Sequence, residues 1–206
     1  MKNDQKEFWK GNFGDVYREN NTVFDDTLSQ ECWSKMLAYF DKDYPKSILE
    51  CGSNIGRNLQ TLNVLLEDPE LSLIELNQES FEIAKQRYNP RYSFNGPINK
   101  APFENESFDL VFTSGVLIHV NPDDLFPTLE KMYQLSKKYI LIAEYFSREP
   151  ESPIYHGEKN KLFKMDFGKY LMQNFPTKLL DYGFLWGHIY DDAGFDDITW
   201  WLFEKS

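Results

Sequence analysis

The sequence predicts a doubly wound α/β fold: a seven-stranded, mostly parallel sheet, helices on both faces, and an antiparallel strand at the C-terminal end. Three observations carry this expectation. Helix-like and strand-like hydrophobic patterns alternate along the chain. The run ILECGSNIGRN, residues 48–58, passes from an apolar segment through two glycines into a helical pattern. Two aromatic, strand-like runs, LLDYGFLW (179–186) and DITWWLFEK (197–205), close the chain and can pair antiparallel at one sheet edge.

The elements follow in order. Residues 4–20 carry Phe8, Trp9, Phe13 and Tyr17, interrupted by Gly11 and Gly14, and predict a short helix and loop over one end of the domain. DDTLSQECWSKMLAYF (25–40) spaces Leu28, Cys32, Met36 and Tyr39 as a helix does, with Asp25 or Asp26 as its cap. SILEC (47–51) is the first strand and RNLQTLNVLLED (57–68) the helix after it. LSLIEL (71–76) is the second strand, and Asn77 caps the helix ESFEIAKQRY (79–88). YSFN (92–95) is a weak third strand. FDLVFTSG (108–115) is a fourth, apolar enough to be buried on both faces. NPDDLFPTLEKMYQLS (121–136) begins as helices do, with Asn121 as cap, Pro122 in first position and acids in the first turn. YILIAEYF (139–146) is the fifth strand. The polar stretch 147–164 reads as a loop, and DFGKYLMQNF (166–175) as a short helix.

Length and charge bound the rest. The 206 residues suit one domain with a full-sized core. A net charge of −11 argues against a nucleic-acid-binding surface. No apolar run approaches the ~20 residues of a membrane span, and the N-terminal residues lack a signal peptide's apolar region. A cytoplasmic location is the expectation. Cys32 and Cys51 lack metal-type spacing and read as packed thiols. The acidic pairs 123–124, 191–192 and 196–197 are explained by helix starts and turns, so no metal is expected.

The glycine junction narrows the chemistry. A strand, a tight loop and a helix form the ligand cradle of doubly wound sheets, and Gly52 and Gly56 let backbone approach a ligand closely. The dinucleotide pattern G-x-G-x-x-G is absent, since Asn54 stands at its middle glycine. Glu50, just before the loop, suits a cationic ligand rather than a pyrophosphate. Glu75, at the end of strand two, is placed to accept hydrogen bonds from a ribose diol. These features together ask for a phosphate-free, positively charged adenosyl ligand such as S-adenosylmethionine (SAM). A nicotinamide-dependent oxidoreductase fits Glu75 but not the glycine pattern.

ILECGSNIGRN, LIELNQESFEIAKQR (73–87) and APFENESFDLVFTSGVLIHV (101–120) resemble, in this order, the motifs of class I SAM-dependent methyltransferases. The resemblance covers most of residues 46–146. It implies a Rossmann-like sheet, a SAM cofactor leaving as S-adenosylhomocysteine (SAH), and Glu75 as the ribose acid. GVLIHVNPDDL, DFGKYLMQNF, LLDYGFLW and DDITWWLFEK further resemble methylases associated with pseudaminic acid biosynthesis. That narrower likeness implies a small, sugar-related acceptor in surface-glycan synthesis. A SAM-binding or scaffolding protein without turnover is the alternative, motivated by Asn54 and by Asn99 and Lys100 standing where relatives place an adenine-binding acid. The signature N/D-P-P-Y/F is missing after strand four, which disfavours amino methylation of DNA.

One methyltransferase domain over 1–206 is therefore expected, with residues 1–45 as an N-terminal helical lid region and 147–165 as a substrate-face loop. The cofactor is expected on Glu50, Gly52, Ser53, Asn54, Gly56 and Arg57, and on Glu75 and Leu76. Adenine falls to Asn99 or to backbone, and the methionine end to Ser114 and Gly115. Tyr17 joins from the lid. Arg57 pairs either with a carboxylate of cofactor or acceptor, or internally with Glu50. His119, Tyr145 and His156 are the catalytic candidates. His119 is either a pocket residue or a packed structural histidine, and Tyr145 and Tyr155 either stack on an acceptor ring or pack the rim. His188 lies near the same edge, or is a turn residue.

Overall fold

The computed structural model describes residues 5–11, 14, 25–41, 43–155 and 157–206. Phe13, Tyr17 and His156 lie outside the described residues. The elements are α1 (Gln5–Lys10), α2 (Asp26–Met36), β1 (Ser47–Cys51), α3 (Arg57–Leu65), β2 (Glu70–Glu75), α4 (Gln78–Tyr88), β3 (Ser93–Asn95) and β4 (Phe108–Ser114). They continue with α5 (Pro122–Leu135), β5 (Ser136–Tyr145), α6 (Phe167–Asn174), β6 (Thr177–Leu185), α7 (Gly187–Tyr190) and β7 (Ile198–Lys205).

The seven strands form one sheet in the order β3-β2-β1-β4-β5-β7-β6. β1 through β5 pair in parallel. β7 runs antiparallel between β5 and β6, so six strands share one direction. The expected doubly wound sheet with an antiparallel C-terminal strand is thus observed.

Strand periodicity explains the two cores. Along β1, Ile48 joins the cluster on one face and Leu49 the cluster on the other; along β5, Leu141 and Ala143 alternate in the same way with Ile140 and Ile142. Helices α2 and α3 cover the first face with Trp33, Leu59 and Leu62. Helices α5 and α6 cover the second with Leu129, Met132 and Leu171. Central strands buried on both faces therefore read as unbroken apolar runs.

Most helix starts are capped by short polar side chains. Asp25 accepts from the amides of Thr27 and Leu28, Asn77 from that of Ser80, Asn121 from that of Asp123, and Asp166 from that of Lys169. Of the two candidate caps for α2, Asp25 takes the role. Helix α3 differs: Gly56 precedes it in the left-handed region (φ 81°), with no side-chain cap.

Two expectations on helix extent are corrected. The helix after β1 ends at Leu65, because Leu66 is extended and Asp68 takes a positive φ of 50°. Helix α2 ends at Met36, and Tyr39 sits in a 3₁₀ turn with its ring half-exposed (47%) rather than on a buried stripe. The turn ends at Asp41 in the left-handed region, which carries the chain away from the helix axis.

The edge hairpin is built on a close approach. Gly183 of β6 pairs across to Trp200 of β7, and a Cβ at 183 would lie 2.8 Å from the indole. Gly183→Ala should force that ring aside and cost about 1–3 kcal/mol by overpacking. Thermal or urea denaturation measures this; wild-type stability in the variant would show that the indole does not rest on residue 183.

Candidate active site

β1 is flanked by β2 on one side and β4 on the other, so the chain crosses from one half of the sheet to the other at β1. At such a point the loops leaving the carboxyl ends of adjacent strands diverge and open a crevice. A cavity of about 280 Å³ lies there, walled by the segments after β1, β2, β4 and β5 and by α1.

The loop after β1 is folded by backbone hydrogen bonds. The amides of Gly52 and Ser53 donate to the Ile74 carbonyl at 2.8 and 3.1 Å, and that of Gly56 to the Ser53 carbonyl at 2.8 Å. Gly52 has φ 84°, and a Cβ there would lie 2.6 Å from Val116 in the segment after β4. Asn54 adopts φ 48°, which an asparagine tolerates where a glycine is usual. Its amide donates to Glu75 Oε2 at 2.7 Å, and the amide of Asn77 donates to Glu75 Oε1 at 2.7 Å. One carboxylate thus ties the loops after β1 and β2. Burial raises its pKa above the usual carboxylate range, against the pull of these amide donors. Each oxygen retains acceptor capacity, and Glu75 lines the cavity.

Glu50 lies deeper than expected. It is 1% exposed and is absent from the cavity wall. Residue 50 is on a central strand, and its side chain enters the layer between the sheet and helices α2 and α3. Trp33 Nε1 donates to Asn58 Oδ1 at 3.1 Å, and Asn58 Nδ2 donates to Glu50 Oε1 at 2.7 Å. Glu50 Oε2 has no hydrogen-bond partner. Burial pushes the carboxyl up to about 8. Direct contact between Glu50 and a ligand is therefore corrected: Asn58 is the wall residue, and Glu50 stands behind it. Arg57 does not form the internal ion pair with Glu50 either; its Nη2 donates to the Ala193 carbonyl at 3.2 Å, on the cavity wall.

The far half of the cavity is organised by two anchors. Glu144, fully buried at the end of β5, accepts from the amides of Val116, Leu117 and Ile118 at 3.1, 3.0 and 3.3 Å. It holds the turn Leu117–His119, and burial pushes its carboxyl up to about 7. The second anchor is the carbonyl of Lys161. It receives His119 Nδ1 at 3.0 Å and Gln5 Nε2 at 3.1 Å. A carbonyl only accepts, so the His119 proton sits on Nδ1 and Nε2 is the basic nitrogen of the neutral ring.

The stretch 147–165 is folded as a narrow excursion, with reciprocal backbone bonds between Glu151 and Lys164 and between Tyr155 and Glu158. The Phe163 amide donates to the Ile118 carbonyl at 2.7 Å and fastens the excursion to the turn before α5. Against His119 stand Trp9, with ring centroids 4.3 Å apart, and Tyr155, at 5.2 Å.

Of the residues expected from sequence, Ser53, Asn54, Arg57, Glu75, Leu76 and Asn99 lie on the wall, as do Gly52, Ser114, Gly115, His119 and Tyr145. The Tyr145 hydroxyl donates to Asp196 at 3.3 Å. Gly56 is not on the wall; it shapes the turn, and a Cβ there would strike the Tyr88 ring at 2.4 Å. His188 packs at a tilt against the exposed Trp186 and is not on the cavity wall. Sequence reasoning missed Gln5, Asn58 and Asp124. None carries a local signal, since each reaches the cavity only through packing of distant segments. Among the described residues, no group of three or more His, Cys, Asp or Glu side chains is arranged to hold a metal.

Comparison with known proteins agrees with this geometry. A family model described as a methyltransferase domain matches residues 48–139. No curated protein matches the chain. Among solved structures, a Burkholderia thailandensis 1,6-didemethyltoxoflavin N1-methyltransferase, bound to 1,6-didemethyltoxoflavin and SAH, is similar at TM-score 0.71 and 15% identity, covering 98% of this chain and 87% of that one. The magnesium protoporphyrin IX methyltransferase of Synechocystis PCC 6803, bound to SAH, is similar at 0.70 and 9% identity, covering 98% of both chains. A SAM-dependent methyltransferase from Leishmania major is similar at 0.72 and 16% identity, covering 97% and 80%. The domain, the sheet and the cradle are those of a class I, Rossmann-like methyltransferase. Residues 48–139 match a methyltransferase domain, and the similar structures of this fold hold SAM or SAH.

The buried acids make stability depend on pH. The Glu50 carboxyl, near 4.5 when exposed, is raised to about 8 in the folded state, so between these values the folded chain holds a proton that the unfolded chain has lost. The stabilising contribution is therefore complete below about pH 4.5 and is lost as pH rises through about 8. Glu50→Gln should remove up to about 1.4 kcal/mol per pH unit of this slope and raise the melting temperature most at pH 8–9. Melting curves from pH 5 to 9 check it; identical slopes in variant and wild type would disprove the assignment.

Proposed function

We propose that the protein methylates a small, sugar-related acceptor, a sugar nucleotide or nonulosonic-acid-type intermediate of surface-glycan synthesis, in the cytoplasm. The cofactor half of the reading rests above all on Glu75. Its carboxylate is clamped by two backbone amides at the end of β2 and faces the cavity with acceptor capacity to spare, as a ribose diol requires. Asn99 supplies a buried Oδ1 with no protein partner on the same wall, which suits the amino group of adenine. Leu76 offers an apolar edge to the base. Gly52, Ser53 and Asn54 bring backbone close, Ser114 and Gly115 face the methionine end, and Arg57 suits its carboxylate. Asn58, held by Glu50 from behind, adds a polar wall beside the loop.

When bound, SAM supplies an electrophilic methyl group on a sulfonium. The chain's own residues align an acceptor, exclude water and take a proton. His119 Nε2 is the base, with its ring fixed by the Lys161 carbonyl. Tyr145 borders the same space. Tyr17 and His156, outside the described residues, are assigned to the lid and to the acceptor side from sequence. The sugar-related acceptor is supported by the sequence resemblance and by a far half that combines aromatic faces, Trp9 and Tyr155, with polar Gln5 and Asn121. Residues 1–206 work as one domain in this reading, with the N-terminal segment and 147–165 forming the acceptor side. A scaffolding role without turnover is not favoured, because the cavity continues past the cofactor cradle to an oriented histidine.

No helix among the described residues is long and apolar enough to cross a membrane. Two measurements test the proposal. Glu75→Ala should weaken SAM binding at least about tenfold in calorimetry, the scale of losing hydrogen bonds to a charged group; unchanged affinity would remove the ribose assignment. Incubation with methyl-labelled SAM and a panel of nucleotide sugars and nonulosonic acids should label a panel member. Label appearing only in protein or nucleic acid would overturn the acceptor class.

A further inference from the structure

Two charged side chains line the far half of the cavity: Lys6 of α1, and Asp124 of α5, three residues beyond Asn121. Glu75 and Arg57, the other Asp, Glu, Lys or Arg residues on the wall, belong to the cofactor end. Lys6 Nζ lies 3.0 Å from Asp124 Oδ2, and the two side chains are 43% and 36% exposed. An ion pair this open to water is worth about 0–1 kcal/mol, so a ligand can join it or displace one member. An ammonium group has three N–H donors, and Asp124 engages it through one oxygen. Lys6 therefore keeps capacity to donate, on a group that water and ligand can reach.

Charge around this pair is uneven. Two more ammonium groups border the same half. Lys161 stands 4.3 Å from the ring centroid of Phe8 on α1, and Lys164 stands 4.9 Å from that of Tyr145, a wall residue. Both lysines are half-buried, and neither forms an ion pair among the described residues. The acids of α1 and of the excursion, Glu7, Glu149, Glu151 and Glu158, are exposed, where water and salt screen them. On a chain of net charge −11, the acceptor side is thus a place where positive charge is held close to the cavity.

We infer that Lys6 is the anion-binding residue of the acceptor half, and that the enzyme selects acceptors carrying an acidic group, a carboxylate or a phosphate. Asp124 holds the ammonium at the wall before the acceptor arrives, and then competes with the acceptor's acid for it. A neutral acceptor of the same shape leaves the ion pair as it is and gains nothing from it. Lys6 is therefore a specificity-determining residue. This inference rests on the methyltransferase reading and adds to it the charge that an acceptor must carry.

The test pairs an enzyme change with a substrate change. The probes are nonulosonic acids beside their methyl esters, and sugar 1-phosphates and nucleotide sugars beside the methyl glycosides of the same sugars. Wild type should favour the charged member by at least about tenfold in kcat/KM, the scale of a hydrogen bond to a charged group. A preference seen with the carboxylates alone, or with the phosphates alone, identifies the acid that the site reads. In Lys6→Met, which keeps an extended side chain and removes the charge, the preference should vanish for the ester and 1-phosphate pairs, through KM more than kcat. KM for the acid should rise with salt in wild type and stay level in Lys6→Met. Asp124→Asn separates this role from a mere tether between α1 and α5. It frees Lys6 from its competitor, so KM for the acid should fall. Both variants raising KM alike would show a tether and overturn the inference. So would a wild type that treats acid and neutral members equally, or a preference that survives in Lys6→Met. Absence of SAM binding by wild type in calorimetry would instead sink the methyltransferase reading itself, and a SAM-binding enzyme that methylates no acid would sink the inference alone.

Discussion

The carboxylate of Glu75 accepts one backbone amide from the loop after β1 and one from the start of α4, each at 2.7 Å, and the cradle depends on that double contact. A two-coordinate clamp of this kind joins the loops after β1 and β2 into one rim. It lets Asn54 hold a positive φ, since the amide of that strained residue is the one that Glu75 engages. Burial works against ionisation of the group while the amide donors favour it, so the clamp is strongest when it carries charge. In the proposed reading a cofactor diol meets an acceptor already oriented, and little ordering remains to be done on binding.

The opposite end of the cavity repeats the device with other atoms. Glu144 gathers three consecutive amides and fixes the turn that carries His119, and the Lys161 carbonyl then fixes that histidine's ring together with Gln5. Among the described residues the buried acids are Glu50, Glu75 and Glu144, which end or nearly end β1, β2 and β5 at the carboxyl edge of the sheet. Each lies where backbone amides or a side-chain amide can meet it, which is why the sheet tolerates carboxylates at depth. The arrangement trades stability for geometry: protonation is favoured in the folded chain, and the sites that position ligands are those that resist ionisation.

The polar stretch after β5 is ordered against the far half of the cavity rather than loose. Reciprocal bonds between Glu151 and Lys164 fold it on itself, and Phe163 joins it to the Ile118 carbonyl. Lys161 adds a contact of its ammonium to the Phe8 ring, 4.3 Å from the centroid, which fastens α1 to the same segment. N-terminal helix, excursion and β4 turn therefore act as one wall.

The sequence by itself determined the layered sheet, because its information is local and periodic. Apolar runs such as ILIA mark strands buried on both faces, Asn77, Asn121 and Pro122 mark helix starts, and the glycines at 52 and 56 mark a turn that needs positive φ. Glu75 was equally legible, since the end of the second strand is a fixed place in this topology. Other features were decided only in three dimensions. Whether Glu50 met the ligand or sat behind Asn58 depended on which face of β1 the helices covered. Arg57 was read as meeting a ligand carboxylate or Glu50; it forms no ion pair with Glu50, and its Nη2 meets the carbonyl of Ala193, which the chain's end brings near. Gln5 looked like any polar residue in a short helix, and its burial follows from a contact with a carbonyl 156 residues away. Backbone atoms such as that carbonyl carry no residue identity, so no pattern of side chains foretells which of them a fold will use as an anchor.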